Sequence, residues 1–203
     1  MLQHFSLETR QLFLCNLLLA VCCAFYLLWW LLAFQPVNPI KGMKTGWLLI
    51  PAFAAGIAAA VFAARGLGTA VDNPGLIPSG WVLWGGIAAY VLLLIVTRFL
   101  LHRPVTTELF LIVGWAVLAL SETSALFGCG ALGRGAAMAF SALIAGGAVV
   151  SLVCYVLYYK LPAKAGFIDG IVPLATAALI MAGMDFTLLG GAWIGTRTLH
   201  CIY

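Results

Sequence analysis

The feature that most constrains this chain is a series of apolar runs, each close to the ~20 residues that a helix needs to cross a bilayer. Hydrophobic residues make up 65% of the chain and charged residues 8%, whereas a soluble domain has roughly 45–50% and about 25%. A soluble fold of this length has too little interior to cover so much apolar surface, but lipid can cover it. The sequence therefore predicts an all-α fold, a polytopic transmembrane helical bundle that forms one integral membrane domain over residues 1–203.

Prolines, glycines and charged residues divide the apolar runs into six predicted spans. The first run is too long to be the apolar part of a signal peptide, and it stops before Pro36 and Pro39, which cannot continue a helix. Each span should be helical, because an open strand edge would leave backbone groups unpaired in lipid. The predicted spans are residues 11–34, 45–64, 80–101, 106–127, 136–159 and 166–189.

The distribution of positive charge predicts the orientation and restricts the partners. The loops after spans one, three and five carry six lysines and arginines, against four in the remaining loops and termini. Since cytoplasmic loops are enriched in these residues, both termini are predicted to be extracytoplasmic, in a protein of the cell membrane. The positive residues form no clustered face, which argues against nucleic acid binding. The predicted partners are the lipid bilayer and either another membrane subunit or a second copy of the chain.

Small residues spaced four apart mark surfaces where helices can pack closely. Span two carries the longest series, and shorter ones are Ala142 with Gly146 in span five and Ala178 with Ala182 in span six. We interpret all of them as packing seams of a compact bundle rather than as the lining of a pore. The series in span two consists of Ala54, Ala55, Gly56, Ala58, Ala59, Ala60 and Ala63.

The sequence contains no pattern of a familiar enzyme or metal site. Gly128, Gly130 and Gly133 match a dinucleotide-binding motif, but a membrane helix precedes them where that motif needs a strand. A hairpin between two spans is the better interpretation. The three histidines are dispersed and have no metal-ligand spacing, so we predict neither a metal nor another cofactor. Cys129 and Cys201 are expected on one side of the membrane, where an oxidising environment would allow them to pair.

Two carboxylates fall inside predicted spans, where an ionisable group costs at least about 2.5–3.5 kcal/mol. Glu122 lies in a polar break, Ser-Glu-Thr-Ser, of span four, and Asp185 lies late in span six. The two spans run in the same direction, so both carboxylates are expected toward the same membrane face. Glu122 is then a proton- or cation-binding group that faces a cavity. The alternative is that its helix ends a turn earlier and that water at the interface solvates the carboxylate.

Two further residues complete the predicted ligand- or proton-binding site. Arg134, in the glycine-rich turn, is a candidate partner of Glu122 or of a lipid phosphate. Trp115 precedes Glu122 by seven residues and therefore shares nearly the same helix face.

The predicted function is that of a small transporter-like protein or a channel component, with a polar site around Glu122. One alternative is an accessory membrane subunit without a site of its own. The other is an intramembrane enzyme that modifies lipids, with Glu122 or Asp185 as acid or base and an arginine on the phosphate.

Overall fold

The computed structural model describes residues 6–33, 45–69, 75–100, 107–158 and 160–200. These residues form six long helices and no strand. All six helices are long and apolar enough to cross a membrane, which confirms the predicted bundle of spans. The helices are α1 (Leu7–Ala33), α2 (Leu49–Thr69, preceded by the 3-10 turn Thr45–Leu48), α3 (Ser79–Ile95, continued by the π-helical turn Val96–Leu100), α4 (Thr107–Gly128), α5 (Arg134–Tyr158) and α6 (Ala163–His200).

Consecutive spans cross the bilayer in opposite directions, so α1 begins at the face where α2, α4 and α6 end. We call this the N-terminal face. Helix α1 packs along α2 on one side and along α6 on the other, α5 lies between α6 and α4, and α3 packs on α4. Helix α4 also contacts α1 and α2. The side chains of α1, α4 and α6 therefore meet inside the bundle.

Part of the small-residue series predicted on α2 forms the surface on which α1 packs: Ala55, Ala59 and Ala63 are buried, whereas Ala54 and Ala60 are exposed. The buried residues of α2 are Ala52, Ala55, Ala59, Ala63 and Gly66. At Gly66 a Cβ atom would lie 2.7 Å from a methyl carbon of Leu12, closer than non-bonded carbon atoms approach. A larger residue at this helix crossing would therefore force the Leu12 side chain to move.

The seams predicted on spans five and six are wrong. Ala142, Gly146 and Ala182 are exposed in the single chain. The buried faces instead run through Gly147 on α5 and through Met181 on α6. Because both helices are rich in alanine and glycine all round, spacing alone did not identify which small residues face a neighbouring helix.

The glycine-rich segment after α4 is a tight hairpin turn, as its interpretation from sequence predicted. Gly130 has a positive φ of 73°, a conformation that glycine adopts without steric cost. The backbone amides of Ala131 and Leu132 donate hydrogen bonds to the Leu126 carbonyl at 2.9 and 3.1 Å. These bonds close the end of α4 and place α5 beside it.

The connection before α3 is fixed to α4 by a single serine. The Ser124 hydroxyl donates to the Ile77 carbonyl at 2.8 Å and lies 3.0 Å from the Ile77 amide, from which it accepts. Gly75 packs directly against the same side chain. Residues 75–78 therefore lie over the end of α4 at the N-terminal face.

Candidate functional site: a buried carboxyl cluster

The bundle brings the two predicted carboxylates together. Glu122 is 0% exposed and Asp185 is 6% exposed, and the two side chains are close enough to interact electrostatically. Glu122 lies six residues before α4 ends at Gly128, about 9 Å along the helix axis. The alternative of a helix that ends early, with a hydrated Glu122, is therefore wrong, because α4 continues and the side chain is buried.

Helix α1 supplies the other polar side chains of this group. The Cys15 thiol lies beside the Glu122 carboxyl, and the Asn16 carboxamide lies beside Asp185. Both Cys15 and Asn16 are 0% exposed. We call Cys15, Asn16, Glu122 and Asp185 the carboxyl cluster.

The polar atoms of the carboxyl cluster lack the partners that buried polar groups normally have. Both carboxyl oxygens of Glu122, both of Asp185 and both polar side-chain atoms of Asn16 are buried without a hydrogen bond from any described residue. The Cys15 thiol can donate a weak hydrogen bond to Glu122, and the Asn16 amide can donate one to Asp185, but neither contact has ordinary hydrogen-bond geometry. Five oxygens and one nitrogen in one place are therefore unsatisfied.

The neighbours of Glu122 in the polar break have structural partners. The Thr123 hydroxyl donates to the Ala119 carbonyl at 2.8 Å and lies 3.5 Å from the Met184 sulfur, while Ser124 holds the Ile77 backbone. These two residues serve packing and the loop connection. Glu122, unlike Thr123 and Ser124, has no such structural role.

Apolar side chains enclose the cluster on every side. Leu12, Ala119, Met181 and Met184 are 0% exposed and belong to the same core. Toward the N-terminal face, Leu126, Leu132 and Leu188 are buried in that core as well. The carboxyl oxygens have almost no surface that a water molecule can touch, so this conformation has no water-sized space beside them.

No basic side chain of the described part of the chain neutralises the two acids. Arg10, Arg65 and Arg134 are exposed, and no described basic residue donates to Glu122. The structure therefore does not bring Arg134 to Glu122: it places the arginine at the first residue of α5, at the surface of the bundle.

Trp115 lies outside the cluster, about two turns from Glu122 toward the opposite face. Its ring is 3.3 Å from the position a Cβ atom would take at Gly147, where Thr176 of α6 also packs. The indole nitrogen is buried without a described hydrogen-bond partner. The indole thus packs between α4 and α5 rather than beside the carboxyls.

Sequence reasoning missed Asn16 and the role of Cys15. In the sequence, Cys15 stands within an apolar run, where a cysteine behaves as a small hydrophobic residue, and Asn16 is a single carboxamide in the same stretch. That single residue was the available signal, because polar side chains in transmembrane helices usually hydrogen-bond to other helices. Asp169 was also missed: it is half-buried on α6, beside the buried Cys154 and remote from the cluster.

A groove of about 390 Å³ opens on another side of the bundle, between α3, α4 and α5. All of its lining residues are apolar, among them Trp81, Val113, Val117 and Leu152. It includes no residue of the carboxyl cluster. The proposed cysteine pairing involves Cys201, which lies outside the described residues.

The chemistry available at the cluster follows from its charge. Two ionised carboxylates cannot share a site sealed from water, since each pays a large desolvation penalty and they repel each other. With no arginine or lysine beside them, a proton or a cation must compensate the charge. Among the described residues, no three His, Cys, Asp or Glu side chains are arranged to hold a metal ion by themselves.

No protein-family model matches this chain, and neither a curated protein nor a solved structure is significantly similar to it.

Proposed function

We propose that this protein is a small transporter-like membrane protein that carries protons on Glu122 and Asp185 and exchanges them for another cation. The observation that carries the proposal is a pair of carboxyls buried together in the bundle, which receive no hydrogen bond of ordinary geometry from any described residue and have only the weak donors Cys15 and Asn16 beside them. If these positions served packing alone, apolar side chains of similar size would stabilise the bundle at least as well as two buried acids. Retaining two acids is therefore explained by binding of positive charge.

The position of the cluster supports transport rather than a purely structural site. Glu122 lies about 9 Å from the end of α4, so only a thin leucine layer separates the cluster from the N-terminal face, and most of the membrane separates it from the opposite face. We place the protein in the cell membrane with both termini outside, which puts the cluster in the outer half. Intramembrane acids in such positions serve proton relays and ion pathways in pumps and transporters.

The same geometry disfavours a lipid-modifying enzyme. Such an enzyme needs an acid or base that a lipid head group can reach and a cation on its phosphate. Glu122 is enclosed by apolar side chains, and the exposed Arg134 is not beside it.

The test is dissipation of a pH gradient by purified protein in vesicles that contain a trapped pH dye. A mixture of NaCl, KCl and CaCl₂ is added outside vesicles that are acidic inside, and loss of internal protons is followed. We expect wild-type vesicles to become alkaline faster than empty ones, and Glu122→Gln and Asp185→Asn to lose this response.

The matched control is Asp169→Asn, which removes a carboxylate from α6 outside the cluster and should keep the response. Wild-type vesicles that hold their gradient as long as empty vesicles would refute the proposed function. An accessory subunit would behave in this way, and it would co-purify with a stoichiometric partner.

A further inference from the structure

The carboxyl cluster has more oxygen ligands than proton binding requires. Its buried, unpartnered oxygens are the four carboxyl oxygens of Glu122 and Asp185 and the Oδ1 atom of Asn16. Protons are held by the carboxyls alone, whereas a carboxamide at neutral pH neither takes up nor releases one. The Asn16 amide can assist Asp185 as a weak donor, but the buried Oδ1 atom has no partner and needs a different explanation.

A buried carboxamide oxygen without a donor is suited to a hard cation. Hard cations prefer carboxylate and carbonyl oxygens, and Asn16 is 0% exposed and beside Asp185. Helices α1, α4 and α6 supply one ligand residue each. An ion among them would satisfy oxygens that the protein leaves unpaired.

Resting on the proposed function, we infer that the second cation is Na⁺, bound by Glu122, Asp185 and Asn16 in competition with a proton. Ca²⁺ takes about 6–8 oxygens and Mg²⁺ keeps several waters, but three residues supply the oxygens here and leave no room for water. A singly charged ion also loses its hydration at lower cost than a divalent one. The small number of ligands favours Na⁺ over the larger K⁺.

The charge balance fixes the stoichiometry. With two protons bound, both carboxyls are neutral; release of one proton leaves one carboxylate, whose negative charge a single Na⁺ compensates. One Na⁺ thus replaces one proton, and the occupied cluster is neutral in both forms. The exchange is electroneutral.

The titratable groups at the cluster are few. On α1 the Cys15 thiol faces Glu122, while α4 and α6 contribute the two acids themselves. The buried face of α2 consists of alanines and a glycine, and that of α5 near the cluster includes Ala137 and Ile144. The arginines of these helices, Arg65 and Arg134, are exposed.

The experiment uses full-length protein in the same vesicles, with each salt added alone. NaCl should drive proton loss, whereas KCl, CaCl₂ and choline chloride at matched ionic strength should not. Because Na⁺ competes with one proton, the half-saturating Na⁺ concentration should rise about tenfold for each unit of pH lost in the range where protons dominate. Clamping the membrane potential at zero with valinomycin and equal K⁺ should leave the rate unchanged.

Asn16→Leu is the decisive variant, since leucine has the same branched shape as asparagine but no oxygen ligand. It should weaken the apparent Na⁺ affinity by at least about tenfold, the effect of losing ~1.4 kcal/mol of binding. A second measurement requires no transport: NaCl should raise the thermal unfolding temperature of detergent-solubilised wild type relative to choline chloride, but not that of Asn16→Leu.

The outcomes separate the two proposals. If the salt mixture discharges the gradient through Glu122 but KCl or CaCl₂ acts as well as NaCl, or Asn16→Leu retains wild-type Na⁺ affinity, the inference is overturned and the proposed function stands. If NaCl stabilises the wild type through Asn16 without any proton flux, the Na⁺ site stands and transport fails. If NaCl has neither effect on the wild type, the inference fails.

Discussion

Replacing Asn16 by leucine should stabilise the protein when no Na⁺ is present. Asn16 is 0% exposed, and neither of its polar atoms has a described hydrogen-bond partner. Burying a carboxamide without partners costs about 1–3 kcal/mol by mutational measure, and leucine removes that cost without opening a cavity. We therefore expect a gain of about 1–3 kcal/mol in the free energy of unfolding. For a chain of this size, 1 kcal/mol corresponds to roughly 2–4 °C in unfolding temperature.

The assay is thermal unfolding in detergent, in a choline buffer, with Thr123→Val as the matched control. Thr123 is equally buried, but its hydroxyl has a good hydrogen bond of 2.8 Å to the Ala119 carbonyl. Removing that bond should lower stability by about 0.5–1.5 kcal/mol, so the two variants should shift the unfolding temperature in opposite directions. If Asn16→Leu destabilises the protein as Thr123→Val does, Asn16 is a satisfied packing residue and the reasoning is refuted.

Two further substitutions test the packing that positions the cluster. Gly66→Val places a side chain 2.7 Å from Leu12 and should lower the free energy of unfolding by about 1–3 kcal/mol through overpacking. The control Gly68→Val, with nothing within 4 Å, should lower it less. Equal losses in thermal unfolding would assign the effect to helix propensity instead. Ser124→Ala removes the two hydrogen bonds to Ile77. It should speed protease cleavage of the connection before α3 in vesicles that contain the protein. An unchanged cleavage rate would show that other contacts hold this connection.

The sequence predicted the number and type of the helices because long apolar runs have few structural solutions in lipid. It also placed Glu122 and Asp185 toward one face, since spans four and six run in the same direction. Because consecutive spans alternate in direction, the position of a span in the chain gives its direction without any knowledge of how the helices pack. The approach of the two acids inside the bundle required the arrangement of α1, α4 and α6, which the sequence did not contain.

Which face of each helix turns inward could not be predicted with equal success. On α2 one alanine stripe is much longer than any other, and it marks the real contact with α1. On α5 small residues occupy several faces, so their spacing predicts a packing seam at Ala142 and Gly146, whereas the buried residue is Gly147. The sequence did not predict a role for Asn16, because no polar residue adjoins it in its own span and its neighbour in the structure, Asp185, is distant in sequence.

The bond between Ser124 and Ile77 makes the motion of one helix visible at the surface. Glu122 and Ser124 are two positions apart, about 200° around α4, so their side chains lie on nearly opposite sides of the helix. A rotation of α4 that exposes Glu122 to water must either move the backbone of residues 75–78 or break both hydrogen bonds between Ser124 and Ile77. A fluorescent dye attached to this connection would report rotation of α4 at the membrane surface and would leave the carboxyl cluster unaltered.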